Sequence, residues 1–370
     1  MYIPLAKKYR PKSLDHVVGQ DAVVRIIGNS IKNKKLNYSY MFHGNKGCGK
    51  TSTARIMAAT ENFPSKESLT PNLEDDNCKA IFEGKSLGIK EFDAASNRGI
   101  DDIRRIQHDA YKTSFDVKVK YYIIDEAHGL TDPAFQAALK MVEEPPKNVR
   151  FIFCTTEPHK IPETIQSRCT TISFRKVHWI EIKKNILEIA KKEKFNITDE
   201  AVADIAKNSN GSVRDSLNYL DKIISYSGED ASIDSDTIVS VLGIASQSLI
   251  GDIVDGVFEN NGFKSFISIN ELLVKGTSPE SLIDGLLEHL RRILVCRVTK
   301  QNVDYLHMNE EEYKTYMHKA KKYHPNVICE MMNNLQNVRL GMKVNVDVQA
   351  MLESWVTTSI VANARISKKS

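Results

Sequence analysis

The sequence predicts an α/β domain on a five-stranded parallel sheet, followed by helices alone. Three observations predict it. Five short runs rich in β-branched and aromatic residues, at 38–43, 89–93, 119–124, 149–154 and 171–174, have strand length. The segments between the first four are long enough to hold helices, as crossovers between parallel strands require. From Val177 onward the strand pattern fades and helical patterns take over.

The first run, YSYMFH, leads directly into Gly44-Asn45-Lys46-Gly47-Cys48-Gly49-Lys50-Thr51, which matches G-x-x-x-x-G-K-[ST], and a helical stretch follows at once. The glycines let backbone N–H groups approach phosphates, and the opening helix adds its positive end. Lys50 reaches the β and γ oxygens, and Thr51 supplies a magnesium ligand. At average residue frequencies such a match arises by chance in roughly one chain in a hundred, so a bare glycine turn is the weaker reading. ATP with Mg2+ is the expected ligand, held by Gly44, Gly47, Cys48, Gly49, Lys50, Thr51 and Ser52.

The third run ends in Asp125-Glu126, two carboxylates at the end of an apolar strand. Beside a phosphate loop, Asp125 is placed to hold the metal and Glu126 to polarise the attacking water. Next comes a helix over about 133–144: Asp132 can cap it, Phe135, Ala138, Leu139 and Val142 form its apolar stripe, and Pro145-Pro146 stops it. The fourth run exits through Thr155 and Thr156, whose hydroxyls can sense a γ-phosphate or its water. Ser167-Arg168-Cys169 precedes the fifth run, and Ser212-Val213-Arg214-Asp215 follows Gly211, which separates two helices. Both arginines have the forked donors that suit phosphate, although an isolated arginine is more often an ordinary surface residue. The polar stretch SGEDASIDSD at 227–236 is a candidate boundary, and a further helical region lies beyond it.

Across 370 residues, 41% are apolar and 26% charged, the balance of an ordinary globular protein with material for two or three domains. No run of about 18 apolar residues occurs, and the first residues do not form a signal peptide. The six cysteines are scattered without paired spacing, which fits reduced thiols in a soluble cytoplasmic protein. A net charge of +4 neither proves nor excludes a nucleic-acid partner.

Taken together, these residues resemble the gamma/tau subunits of bacterial DNA polymerase III, the motor subunits of the sliding-clamp loader within the AAA+ family. The resemblance is carried by Tyr9-Arg10-Pro11 with Val18-Gly19-Gln20, the phosphate loop, DAASNRGIDDIR at 93–104 and IIDEAHGL at 123–130. To these is added LKMVEEPPKNVRFIFCTTEPHKIPETIQSRC at 139–169. It implies a AAA+ nucleotide-binding domain over 1–176, a small helical lid domain over 177–240 and an all-α collar, for oligomerisation, over 241–370. It further implies Thr156 as first sensor, Arg214 as second sensor on the subunit's own nucleotide, and Arg168 as a finger for a neighbour's ATP. Tyr9, Arg10 and Val18 would lie near the adenine.

By the same resemblance, the chain is expected in a five-subunit ring with other loader subunits, opening a sliding clamp and gripping primer-template DNA without regard to sequence. Arg98, Arg104 and Lys140 are the candidate DNA contacts, with ordinary surface charge as their alternative. The chain looks like a short, gamma-like form. It departs from the family at the zinc module: Cys78 aligns with the last of four cysteines, while Phe63, Asn72 and Asp75 stand at the other three positions. One thiolate cannot build a tetrahedral site, so no zinc is expected. Two competing readings are a non-hydrolysing structural subunit of such a ring and another AAA+ DNA motor, such as a branch-migration helicase.

Overall fold

The computed structural model describes residues 2–65, 70–227, 233–243, 245–300, 306, 308, 310–342 and 347–367. They separate into two compact units, Met1–Phe195 with Ile205–Asp221, and Asn196–Asp204 with Lys222–Ser370.

The first unit opens with α1 (Leu5–Lys8) and α2 (Asp21–Lys32), then alternates β1 (Ser39–Gly44), α3 (Lys50–Asn62), α4 (Asp76–Glu83), β2 (Ile89–Asp93), α5 (Ile100–Ala110) and β3 (Lys120–Asp125). It continues through α6 (Asp132–Glu143), β4 (Val149–Thr155), α7 (Glu163–Gln166), β5 (Thr170–Phe174) and α8 (Trp179–Glu193). The expected strands all form, each within one residue of its predicted ends, and all are parallel in the order β2-β3-β4-β1-β5. The central strands are buried along nearly their whole length because helices cover both faces, whereas the edge strands β2 and β5 alternate.

Successive side chains feed opposite cores, as strand geometry requires. Phe42, Tyr121, Ile123, Ile152 and Cys154 pack with α2 and α3. Met41, Tyr122, Ile124, Phe151 and Phe153 pack with α5 and α6. Because β1 lies between β4 and β5, the carboxyl ends of β1, β3 and β4 open side by side, which is where parallel α/β sheets bind ligands.

One expectation fails at α6. Thr131, not Asp132, is the N-cap residue, and Asp132 is the first helical residue. The cause is a competing partner: Thr131 donates both its N–H and its hydroxyl to the carbonyl of Arg98, at 3.1 and 3.2 Å, which holds it extended outside the helix. Asp132 instead places its charge in the first turn, where the helix dipole favours it. The predicted stripe is otherwise in place, with Phe135, Ala138 and Val142 buried and Leu139 packed against the same core.

Helices α9 (Asp199–Asn208) and α10 (Val213–Ser227) are separated by Gly211, at φ +84°. Of the candidate boundary, residues 228–232 lie outside the described residues, and Ser235 already opens α11 (Ser235–Leu242). The second unit continues with α12 (Gln247–Phe258), α13 (Gly262–Val274), α14 (Pro279–Thr299), α15 (Glu310–Lys322), α16 (Pro325–Gly341) and α17 (Val348–Ser367). They enclose a separate apolar core around Ile253, Leu286, Leu290, Met331 and Trp355. Among the described residues, no helix is long and apolar enough to cross a membrane.

Candidate nucleotide site

The loop between β1 and α3 turns on three glycines in the left-handed region, Gly44 at φ +146°, Gly47 at +73° and Gly49 at +105°. Space as well as φ demands glycine at the first two: a Cβ on Gly44 would stand 2.3 Å from the Phe174 carbonyl, and one on Gly47 would stand 2.0 Å from Ser212 Oγ. The loop's amides and the start of α3 therefore face an open concavity, a cradle suited to phosphate oxygens.

That concavity is a cavity of about 340 Å³. It gathers Tyr9, Arg10, Val18, Gly47, Cys48, Gly49, Lys50, Thr51, Ser52, Asp125, Glu126 and Arg214 against one another. Lys50 is almost wholly buried, and its Nζ donates to the carbonyls of Gly44 and Asn45 at 2.8 and 2.9 Å. Thr51 Oγ1 donates to Asp125 Oδ2 at 2.8 Å, so the two candidate magnesium ligands already share one spot. Arg10 Nε donates to Ser52 Oγ at 2.9 Å. Burial, and then the charges of Arg55 and Arg214 among its neighbours, lower its pKa from the ordinary value. Burial pushes the Cys48 thiol up, against the pull of Lys50. A cation-lined cavity with two carboxylates at one end suits a polyphosphate and a divalent metal.

The remaining predicted residues lie outside this cavity's lining. Gly44 contributes its carbonyl to Lys50. Thr156 Oγ1 donates to Glu126 Oε2 at 3.4 Å. Arg168 is on the surface, donating from Nη1 to the Thr164 carbonyl at 2.8 Å and pairing through Nη2 with Glu143 Oε1 at 2.9 Å. Of the candidate DNA contacts, Arg98 and Lys140 are exposed, and Arg104 is exposed and paired with Asp101 at 3.3 Å.

Sequence reasoning gave no role to three residues that build the site. Gln20, 2% exposed, donates from Nε2 to the carbonyls of Arg175 at 2.8 Å and Cys48 at 3.4 Å, and its Oε1 accepts the Arg175 N–H. It thereby pins the phosphate loop to the end of β5. Ser212 packs on Gly47, beside the bond from the Val213 N–H to the Gly47 carbonyl at 3.2 Å, which brings the α10 arginine to the loop. His128 lies between Glu126 and the end of β4.

At the positions of the family's zinc module, Cys78 is fully buried in the core under α3, and burial, with the Asp75 charge, pushes its thiol up to about 11. Asp75 caps α4 by accepting the N–H groups of Asn77 and Cys78, and Phe63 packs on the same core as Cys78. The Asn72 N–H donates to the Phe63 carbonyl at 2.8 Å. Among the described residues, no group of three or more His, Cys, Asp and Glu side chains is placed to hold a metal ion.

Three family profiles match in succession: DNA polymerase III, delta subunit, over residues 19–178; the ATPase lid domain of the DNA polymerase III clamp loader subunit over 181–229; and DNA polymerase III subunits gamma and tau domain III over 233–335. The DNA polymerase III subunit tau of Bacillus subtilis is 33% identical over 342 residues, covering 92% of this chain and 60% of that protein. The gamma/tau subunit of Mycoplasma genitalium is 41% identical over 224 residues, 60% of this chain and 38% of its own length. The chain thus spans between about two fifths and three fifths of these relatives. A Holliday junction branch migration motor of Thermotoga maritima superposes with a TM-score of 0.48 at 18% identity, covering 66% of this chain and 79% of that one. The three profiles, all of DNA polymerase III subunits, follow one another along residues 19–335, the last of them and the two relatives are gamma and tau, and the chain belongs to the DNA polymerase III gamma/tau family.

Proposed function

We propose that this chain is the ATPase motor subunit of a sliding-clamp loader, in which ATP binding opens the clamp and admits primer-template DNA, and hydrolysis releases the clamp onto that DNA. The single observation that carries the reading is the Thr51–Asp125 hydrogen bond at 2.8 Å beside buried Lys50. It brings together the side chains that a working metal-assisted ATP site needs, and these have no reason to persist as a set in a structural subunit. In this reading Lys50 leaves the carbonyls of Gly44 and Asn45 for the β and γ oxygens. Thr51 and Asp125 would hold magnesium, which would supply positive charge to offset the negative charge that grows on the phosphates. Glu126 polarises the attacking water, Thr156 reads the γ-phosphate, and Arg214 reaches the same nucleotide from α10. Arg168, exposed on the surface, serves a neighbour's site.

Cofactor and partner assignments follow the family. Mg2+ is the metal and no zinc is held. The partners are other loader subunits in a ring of five, the sliding clamp, and DNA gripped through its backbone by Arg98, Arg104 and Lys140. The chain works in the cytoplasm, with residues 1–176 as the nucleotide-binding domain, 177–240 as the lid and 241–370 as the collar.

The test is the ATPase rate of wild type and Arg168→Ala, alone and with candidate loader partners, with and without clamp and primed DNA. Stimulation of the wild type by clamp and DNA is expected. Arg168→Ala should lose about 10³-fold or more of that rate while still binding ATP. No hydrolysis in any combination would instead favour a structural subunit, and strand separation without clamp loading would favour a helicase.

A further inference from the structure

His128 follows the acidic pair of β3 by two residues, and the backbone between them is unusual. Glu126 sits at φ +47°, a left-handed conformation that costs a non-glycine residue on the order of 1 kcal/mol. It starts a short 3-10 turn over Ala127–Gly129. Gly129 lets that turn press on the exit of β2, since a Cβ there would stand 3.0 Å from the Ala94 carbonyl. The turn thus has little freedom, and the ring it carries is aimed across the sheet toward β4.

The imidazole meets three groups there. Nδ1 is 3.1 Å from Thr155 Oγ1 and 3.6 Å from Glu126 Oε2, and Nε2 is 3.3 Å from Glu157 Oε1. Thr155 is fully buried and its Oγ1 accepts the Glu157 N–H at 3.0 Å, so the ring closes a loop of contacts over the exit of β4. The Thr155 contact holds whether Nδ1 donates or accepts, because a hydroxyl does both. The same oxygen of Glu126 accepts from Thr156. Glu126 is therefore bonded to the end of β4 directly through Thr156, and His128, its Nδ1 3.6 Å from the same oxygen, bridges it to Thr155 when that nitrogen carries the ring proton.

We infer that His128 is a positioning residue for Glu126, a splint that keeps the carboxylate aimed when Thr156 turns its hydroxyl to a γ-phosphate. The inference rests on the proposed roles of Glu126 and Thr156. A hydroxyl has one proton to donate, so Thr156 cannot donate to Glu126 and to a phosphate at once. When it leaves, His128 is the remaining side chain joining Glu126 to the end of β4 among the described contacts.

The experiment measures kcat, KM and the affinity for a fluorescent ATP analogue, using the full chain assembled with its loader partners, clamp and primed DNA. His128→Ala is expected to lower kcat about 10- to 100-fold with KM and analogue affinity unchanged, since misplacing a catalytic group by about 1 Å costs that much. His128→Asn, whose amide can stand in for Nδ1, should recover most of the rate, and it decides the matter if His128→Ala proves unstable. Added to Glu126→Gln, His128→Ala should cause no further loss, because it acts through the absent carboxylate. Wild-type kcat in His128→Ala, an equal loss of affinity, or a full additional loss in the Glu126→Gln background would each overturn the inference while leaving the reading of Glu126 standing. An undiminished rate in Glu126→Gln alone would overturn that reading itself.

Discussion

Gly47 and Gly84 share φ +73° but not surroundings. A Cβ on Gly84, at the end of α4, meets nothing within 4 Å, whereas one on Gly47 runs into Ser212. Gly84→Ala should therefore cost only the backbone strain, about 1 kcal/mol. Gly47→Ala should cost about 2–4 kcal/mol and weaken ATP binding by about tenfold or more, because the loop must shift off α10. Calorimetric melting and ATP-analogue titration of the two variants would check this, and equal effects would contradict it. At this scale the sequence was most legible where chemistry is contiguous. Lys50, Thr51, Asp125 and Glu126 announce themselves because each stands beside its strand or helix end. Ser212, Gln20 and His128 did not, since their roles come from tertiary pairing, as with Gln20 and Arg175, 155 positions apart.

Among elements, the strands were readable because a sheet covered on both faces demands unbroken apolar runs, and YYII and FIFC could be little else. Caps were less so: Thr131 caps α6 because the Arg98 carbonyl holds it, which no local pattern shows. Among the described residues, Gln20 is the buried side chain bonded to both the phosphate loop and the end of β5, and it adds to the backbone pairing of Gly44 with Phe174. Gln20→Ala would strand the Arg175 N–H and carbonyl at the end of β5, so it should destabilise the first unit by about 2–4 kcal/mol. It should also loosen ATP binding, because the Cys48 carbonyl loses its tether. Unfolding and ATP-analogue affinity measured together would show both losses; a stable variant with unchanged affinity would mean the joint is held elsewhere.

For the whole molecule, each unit has its own core, and the second conceals a polar network. His289 on α14 is 4% exposed, with Nδ1 at 3.0 Å from the Tyr316 hydroxyl and Nε2 without a partner among the described residues. Burial, then the charge of Lys319, lowers its pKa to about 3. Asp255 on α12 faces the same region, accepting from Lys319 at 2.8 Å and Tyr323 at 2.6 Å, while Arg292 pairs with Glu288 at 2.9 Å. Burial alone would raise the Asp255 and Glu288 carboxyls, but hydrogen bonds from Lys319 and Tyr323 to the first, and from Arg291 and Arg292 to the second, carry both below their ordinary values. The native His289 stays neutral where an unfolded one, at about 6.5, takes a proton. Stability of this unit is therefore complete above about pH 6.5 and is lost as pH falls toward 3, with a slope of up to about 1.4 kcal/mol per pH unit. With Trp179→Phe, Trp355 alone reports this unit's unfolding. Denaturant midpoints across that range should fall for the native sequence and flatten in His289→Phe, to the extent that the two carboxylates do not titrate.

The shortness of β5 has a mechanical meaning. Arg168 stands just before this strand, and Arg175, the residue Gln20 grips, stands just after it. Five residues of extended chain span roughly 16 Å, hydrogen-bonded to β1 along one side only. If, as proposed, Arg168 serves a neighbour's site, a pull on it would have to release Glu143 and would then run along this edge strand to Arg175 and, through Gln20, to the Cys48 carbonyl of the subunit's own phosphate loop.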